Sequence, residues 1–439
     1  MRVVPWSVLL VVSALAGCQR SSSSLSSLSS VGEPGPAPRP AELASLPPAP
    51  AIPACARRSP GQGARPLPTS ASSSAIALAR VGDHLVAYVA DEDERALRTV
   101  DVDAGLELSR VALGGRPSTV LLAPDGRIVV ALRDRGSLRV FEPPADPAAE
   151  PAPLCEVETA AEPVSLAATP DGATLLVVSR WDHALALLDF ATLRAQRTVD
   201  LPRDPQAVIT SADGAKAIVS HLAGARLSVV DLQGEASAPH AVSTHLDERT
   251  NTVINFMPMM RPGGSSESSR GVLQRHERFG GQGYALVRLA TGRILHPEVL
   301  VETGSGTGIS SGYGSAISFP TVLSDISVVD AGAESIAVAP MRRAGGPTPC
   351  LLPRAAAIDE RSGELLVTCL GIDSVIAYGA SAKLPVQEER RRWIVAGGPT
   401  GVAVDPEGRR AVVFAQFESA IDVLTLGMPR LPGAPRVDL

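Results

Sequence analysis

From Ala75 onward the chain alternates short apolar runs with polar turns. Val120-Leu121-Leu122-Ala123, Ile128-Val129-Val130-Ala131-Leu132 and Leu175-Leu176-Val177-Val178 are typical runs. They are too short for helices and rich in Val, Leu and Ile, as strands covered on both faces are. Between consecutive runs stand Asp125-Gly126, Asp171-Gly172 and Asp213-Gly214. Asp-Gly between two apolar runs signals a tight hairpin, because Gly tolerates positive φ and Asp bonds its own backbone.

The hairpins recur in phase. Pro117, Pro163, Pro205 and Pro399 each precede the acidic residue of the following turn (Asp125, Asp171, Asp213, Glu407) by eight positions. Asp125, Asp171 and Asp213 are spaced by 46 and 42 residues. A period of this size with several strands per unit belongs to propeller blades, not helical solenoids. A fifth copy, Leu352-Pro353 to Tyr378, has one extra residue before Ser362-Gly363. The expected fold is all-β, a β-propeller of seven blades with four antiparallel strands each. Blade one is Ala75 to Leu113; blades two, three and four begin near Arg116, Glu162 and Asp204; six and seven begin near Leu352 and Gly398. Blade five is irregular, from about Gln282 to Pro340, and only Ile326 to Asp330 is plain in it. A long irregular insertion, about 247–324, separates blades four and five. It contains Met257-Pro258-Met259-Met260 and a Gly/Ser/Thr tract from Gly304 to Ser315. Few residues follow Leu426, and prolines interrupt them. Blade seven is therefore expected to borrow its outer strand from Ala51 to Ser74, closing the ring as a clasp.

Pro, an apolar strand, Pro-Asp-Gly, a Val-rich strand and a strand ending in Asp resembles the repeat of the YVTN-type β-propeller family. Pro163 to Asp189 matches that pattern best; Val177-Val178-Ser179-Arg180 holds the place of the tetrapeptide that gives the family its name. The resemblance covers about 350 residues and implies fold rather than chemistry. The insertion resembles one in bacterial proteins that fuse such a propeller to a c-type cytochrome module.

The first residues read differently. Arg2 precedes an apolar run, Val8 to Leu15, too short to span a bilayer permanently. The run ends in Leu15-Ala16-Gly17-Cys18, which resembles the lipobox of bacterial lipoproteins. That resemblance implies cleavage before Cys18 and acylation of its thiol. Gln19, not Asp, follows, which by the same analogy favours the outer membrane, on its periplasmic or surface face. Residues 19–72 are Ser-, Pro- and Ala-rich, a composition that cannot bury enough apolar surface to fold. They are expected to form a disordered tether, and the propeller to occupy 73–439.

Composition adds constraints. Apolar residues make up 45% of the chain but aromatics only 3%, so aliphatic side chains must fill the core. A net charge of −6 excludes an extended basic surface for nucleic acid. The cysteines are Cys18, Cys55, Cys155, Cys350 and Cys369, none in the Cys-x-x-Cys-His arrangement that attaches haem. Cys350 and Cys369 flank the first hairpin of blade six. There they form either a disulfide, which an exported compartment permits, or two free buried thiols.

Catalytic motifs are scarce. Gly308-Ile309-Ser310-Ser311-Gly312 matches a nucleophile elbow in letters, but no helix follows it. His183 and His221 fall in second-to-third-strand loops of neighbouring blades, with His240 and His245 just beyond, and read as solvated histidines rather than metal ligands. Asp91 to Glu94 reads as a solvated acidic hairpin tip. No catalytic residue, metal ligand or cofactor is assigned. The candidate contacts are on the loop-bearing rim: Arg133, Arg180, His183, His221 and Gln416.

The expected function is a membrane-anchored, monomeric binding or scaffold module for a protein, peptide or glycan, non-enzymatic rather than catalytic. Two alternatives stay open. One is an accessory propeller of a c-type cytochrome or peroxidase-like redox system. The other is a channel-centred enzyme such as a lactonase or quinoprotein, against which the innermost strands offer little beyond Val, Leu and Ala.

Overall fold

A computed structural model describes residues 55, 65–66, 70–234, 238–253, 271–302, 322–329, 336–337, 348–407, 409–428 and 436–439. Leu15 to Cys18, the expected lipobox, Met257 to Met260 and Gly308 to Gly312 lie outside the described residues.

The chain forms seven antiparallel sheets in sequence order around a central channel. Blade two is representative: Pro117–Leu122, Ile128–Leu132, Ser137–Glu142 and Ala152–Glu158, from channel to rim. Every residue of Ile128–Leu132 is buried, because neighbouring blades cover both faces of the sheet. The rim strand of blade three, Ala195–Asp200, has only Val199 buried. The unbroken apolar runs are thus the middle strands, and the polar segments are the rim.

The repeated Pro opens the innermost strand in five of the seven blades. It pairs once with the second strand, and the register then shifts in blades two, three, four, six and seven. A residue without an N–H suits the start of a ladder, and a bulge beside it re-aims the next side chain. The Gly of Pro-Asp-Gly has two jobs. Gly172 and Gly214 take φ of 69° and 70° in their turns. A Cβ on Gly172 would lie 3.2 Å from Pro124, and one on Gly214 2.9 Å from Pro170. Each turn therefore tucks against the Pro of the preceding blade's turn, which ties the motif to blade spacing as well as to hairpin geometry.

Blade five is irregular, as expected: its innermost and outermost strands are only two residues long. Its own strands are Val287–Arg288, Ile294–Glu302, Val322–Val329 and Ile336–Ala337. Ile294–Glu302 is nine residues long and outruns its inner neighbour. Val299 to Glu302 pair instead with Gly281 to Arg278 of Gly271–Gly281, which in turn pairs along its length with His245–Val253. His245–Val253 and Gly271–Gly281 are thus additional sheet, which covers an otherwise unpaired strand edge.

Ring closure also corrects the expectation. Blade seven is completed by the C-terminal residues Arg436–Asp438, which pair with Asp422 to Ala420; Ala51 to Ser74 contributes nothing to that sheet among the described residues. The short strand holds because Val437 is buried between blades one and seven and Arg436 bonds Asp422 at 3.1 Å. The tether, expected over 19–72, is fixed at several points. Cys55 is disulfide-bonded to Cys155 in the rim strand of blade two. Arg65–Pro66 pairs with Arg80 and Ala79. Covalent and backbone bonding hold what composition alone could not. Asp91 is not a solvated tip either: it is buried and accepts from Arg98 Nε at 2.7 Å.

Candidate functional site

The ring has two faces. One carries the Pro-Asp-Gly turns; the other carries the second-to-third-strand loops and the connections between blades. Innermost strands run from the loop face to the turn face. Arg65–Pro66 pairs at the turn-face end of Ile76–Val81, whereas Ser74 leads into its loop-face end. Residues 65–66 and 70–74 therefore stand at successive levels along the channel. On the way Arg288 N donates to Ser70 O, Ser72 N to Leu286 O, Leu166 N to Ser73 Oγ and Val120 N to Ser74 O, at 2.7–3.0 Å. This strap touches blades five, three and two before entering blade one, and it satisfies backbone donors that otherwise face the channel.

Above the strap, on the loop face, lies a pocket of about 320 Å³ to which all seven blades contribute. Its lining follows two positions of the repeat. The first is the residue after the Pro: Ser118, Val164, Gln206, Arg354 and Thr400. The second is the residue just past the second strand: Glu92, Arg133, Arg180, Leu370 and Gln416. Ser72 to Ser74 form the floor; Tyr284 and Phe417 complete the wall.

Arg133, Arg180 and Gln416 are thus brought together by the fold. His183 is exposed on the same face but stands outside the pocket. His221 is not a rim contact. It is the last residue of its strand, one position earlier than Arg180 in the repeat, so the strand's alternation turns it into the blade. It is 2% exposed, its Nε2 2.8 Å from Ser228 Oγ and its Nδ1 3.0 Å from Arg203 O. Burial pushes its pKa down, opposed by the Arg203 carbonyl. Cys350 and Cys369 are bonded, with Cα atoms 5.0 Å apart; they brace the backbone beside Leu370.

A chain of ion pairs crosses the rim. Arg133 bonds Glu92 at 3.1 Å and Glu162 at 2.8 Å; Arg180 bonds Glu162 at 3.1 Å and also Gln206. Burial holds the Arg180 guanidinium below its ordinary pKa; Glu162 opposes this and Arg133 adds to it. Arg354 differs. Its guanidinium lies over the Tyr284 ring, 3.8 Å from the centroid, and no carboxylate pairs with it among the described residues. Three buried side-chain groups of residues lining this pocket have no hydrogen-bond partner among the described residues: Arg180 Nε, Arg354 Nη1 and Thr400 Oγ1. Each unpaired buried donor costs about 1–3 kcal/mol, so the site favours a ligand rich in acceptor oxygens.

Sequence reasoning missed Arg354, Tyr284, Thr400 and the serine floor. The signal for Arg354 and Thr400 was present: both occupy the position after the repeat's Pro. Tyr284 and the strap belong to no repeat.

No protein-family model and no curated protein matches the chain. Solved structures do resemble it. Hydrazine synthase of Kuenenia stuttgartiensis aligns with 14% identity and a TM-score of 0.58 over 78% of this chain and 92% of that one. A functionally unknown protein of Desulfotomaculum acetoxidans aligns with 12% identity and a TM-score of 0.50, over 80% and 95%. Dihydro-heme d1 dehydrogenase NirN aligns at 16% and 0.44, over 78% and 71%. At these identities the likeness to the first two shows the propeller fold alone.

Proposed function

We propose that this chain is an exported, lipid-anchored propeller that binds its partner at the loop-face pocket through an anionic group. The observation that carries the reading is the set of three unpaired groups, Arg180 Nε, Arg354 Nη1 and Thr400 Oγ1, which belong to residues lining one cavity. Its volume of about 320 Å³ is at the small end of ligand pockets. Among the described lining residues there is no His or Cys, and the one carboxylate, Glu92, is held by Arg133. That arrangement favours binding over channel-centred lactonase or quinoprotein chemistry.

The test is calorimetric titration of the protein with glutarate and with inorganic phosphate. Arg354→Gln is expected to weaken binding by about 10-fold or more, the worth of one charge-assisted hydrogen bond. No measurable binding of either anion, or binding indifferent to Arg354, sinks the reading. Anchoring through Cys18 is tested separately: Cys18→Ser is expected to abolish processing after Gly17 and release the protein from the membrane fraction.

A further inference from the structure

Around the pocket the loop face carries large apolar side chains in solvent. Phe417, on the pocket wall, is 70% exposed, and Trp181, next to Arg180, is 75% exposed. Leu351 and Ile394 are exposed at the same end of blade six. Phe417 is seated deliberately in a structural sense: it lies over Gly398, where a Cβ would come 2.4 Å from its ring. A buried cationic centre ringed by aromatic and aliphatic side chains is the composition of an interface hot spot, where Trp, Tyr and Arg dominate.

We propose, on the reading of the pocket given above, that this face docks a polypeptide which inserts one acidic side chain between Arg180 and Arg354 and lays flanking apolar residues on Trp181, Phe417 and Leu351. Two features select a polypeptide over a sugar. Sugar hydroxyls need acceptors as well as donors. Three of the pocket's acceptors are already engaged: Glu92 by Arg133, Gln206 Oε1 by Arg180, and Ser73 Oγ by Leu166 N. The unpaired groups are two guanidinium N–H donors and one hydroxyl, all enclosed within the residues that line the pocket. The cavity admits an acidic side chain, and the apolar groups Trp181 and Leu351 stand outside it, where the residues on either side of an inserted acid lie. The charge complementarity is local. The chain as a whole is acidic, at −6, so a uniformly acidic partner is repelled except at this centre.

The probes are acetyl-Leu-Gly-Glu-Gly-Phe-amide, the same peptide with Gln for Glu, glutarate and a galacturonate trisaccharide, each titrated into the full-length protein. The Glu peptide is expected to bind about 10-fold tighter than glutarate, and Gln in its place to cost about 10-fold or more. The double variant Trp181→Ser with Leu351→Ser is expected to weaken the peptide about 5-fold or more and leave glutarate unchanged, since neither residue lines the pocket. If glutarate binds in an Arg354-dependent way but the peptide binds no tighter, the docking proposal falls and the anion pocket stands. If the galacturonate binds tighter than the peptide, the partner is a glycan and the proposal falls. If neither glutarate nor the peptide binds, both readings fall.

Discussion

Arg80 and Asp405 meet across the seam where the first and last blades close the ring, 3.0 Å apart, with the Asp405 side chain fully buried. They stand at the turn-face ends of adjacent innermost strands. Arg410 also reaches Asp405, at 3.1 Å, and extends to Asp103 of blade one at 2.7 Å. The seam therefore has no shared strand. It is held by one buried carboxylate between two cations, above an apolar layer that includes Leu78, Val89, Phe414 and Ile421. Removing one partner of a buried pair costs about 3–5 kcal/mol, because the other charges stay buried. Asp405→Ala is expected to lower the unfolding free energy by about that amount, read by urea denaturation. A change within error of wild type shows that the seam does not depend on this carboxylate.

Deleting residues 429–439 is the complementary experiment. The deletion removes Arg436–Asp438 and exposes the edge of Ala420–Thr425. Val437, buried at the same seam, goes with it; burying one Val side chain contributes about 1.5–3 kcal/mol. The truncated chain is expected to melt several degrees lower and to self-associate through the bared edge. An unchanged melting temperature means that the C-terminal strand is dispensable.

Gly214→Ala probes the blade-to-blade contact. The residue has φ 70°, and an added Cβ meets the Pro170 ring at 2.9 Å. Strain at positive φ and the clash each disfavour Ala, together by about 1–3 kcal/mol. At Gly363, also positive at 64°, nothing lies within 4 Å of the added atom. Gly363→Ala therefore carries only the backbone cost. Gly214→Ala is expected to be the more destabilising of the two in thermal melts; equality removes the packing role assigned to the motif.

The blades were legible in the sequence because a strand covered on both faces has no freedom but to be apolar. Ile128–Leu132 and Leu175 to Val178 state this in letters, and the Pro-Asp-Gly turns set the phase. What was not legible lacks a repeat. Ser70 to Ser74 resemble linker, yet small hydroxyl-bearing residues are what a narrow channel lined by backbone donors accepts. The C-terminal strand looked too short, since its stability comes from Val437 and Arg436 meeting a particular partner and not from strand propensity. Within the site, Arg133, Arg180 and Gln416 were found because they follow the second strand. His221, one position off, shows that period-2 alternation decides which loop-end residues reach the pocket.

His221 also gives a dependence on pH. Burial is the largest cause of its lowered pKa, and Arg226 and His296 add to it. The unfolded chain takes up a proton near pH 6.5 that the folded chain still refuses. Stability is thus fully present above about pH 6.5 and declines as pH falls from there through the folded value. His221→Gln loses the bond to Ser228 at all pH values but is expected to flatten the slope of melting temperature between about pH 6.5 and 5. A slope as steep as wild type places the proton uptake on another group.

The bond between Cys55 and Cys155 closes a loop across 100 positions of sequence. The Cys55 carbonyl accepts from Arg127 Nη1 at 2.8 Å, and the same guanidinium donates to Phe190 O. Cys55 therefore sits on the turn face between blades two and three, at the opposite end of the channel from the pocket. Chain entropy alone assigns a loop of this size about 4.7 kcal/mol, and disulfides typically deliver about 2–4 kcal/mol of stabilisation. Cys55→Ser with Cys155→Ser is expected to lose about that much in denaturant titrations. The strap's own bonds at Ser70, Ser72, Ser73 and Ser74 remain, since they are made inside the channel with blades five, three and two. The double variant is therefore expected to bind glutarate as wild type does. Loss of binding together with stability means that the disulfide, and not the channel, holds the pocket floor in place. Unaltered stability means that the segment is anchored without it.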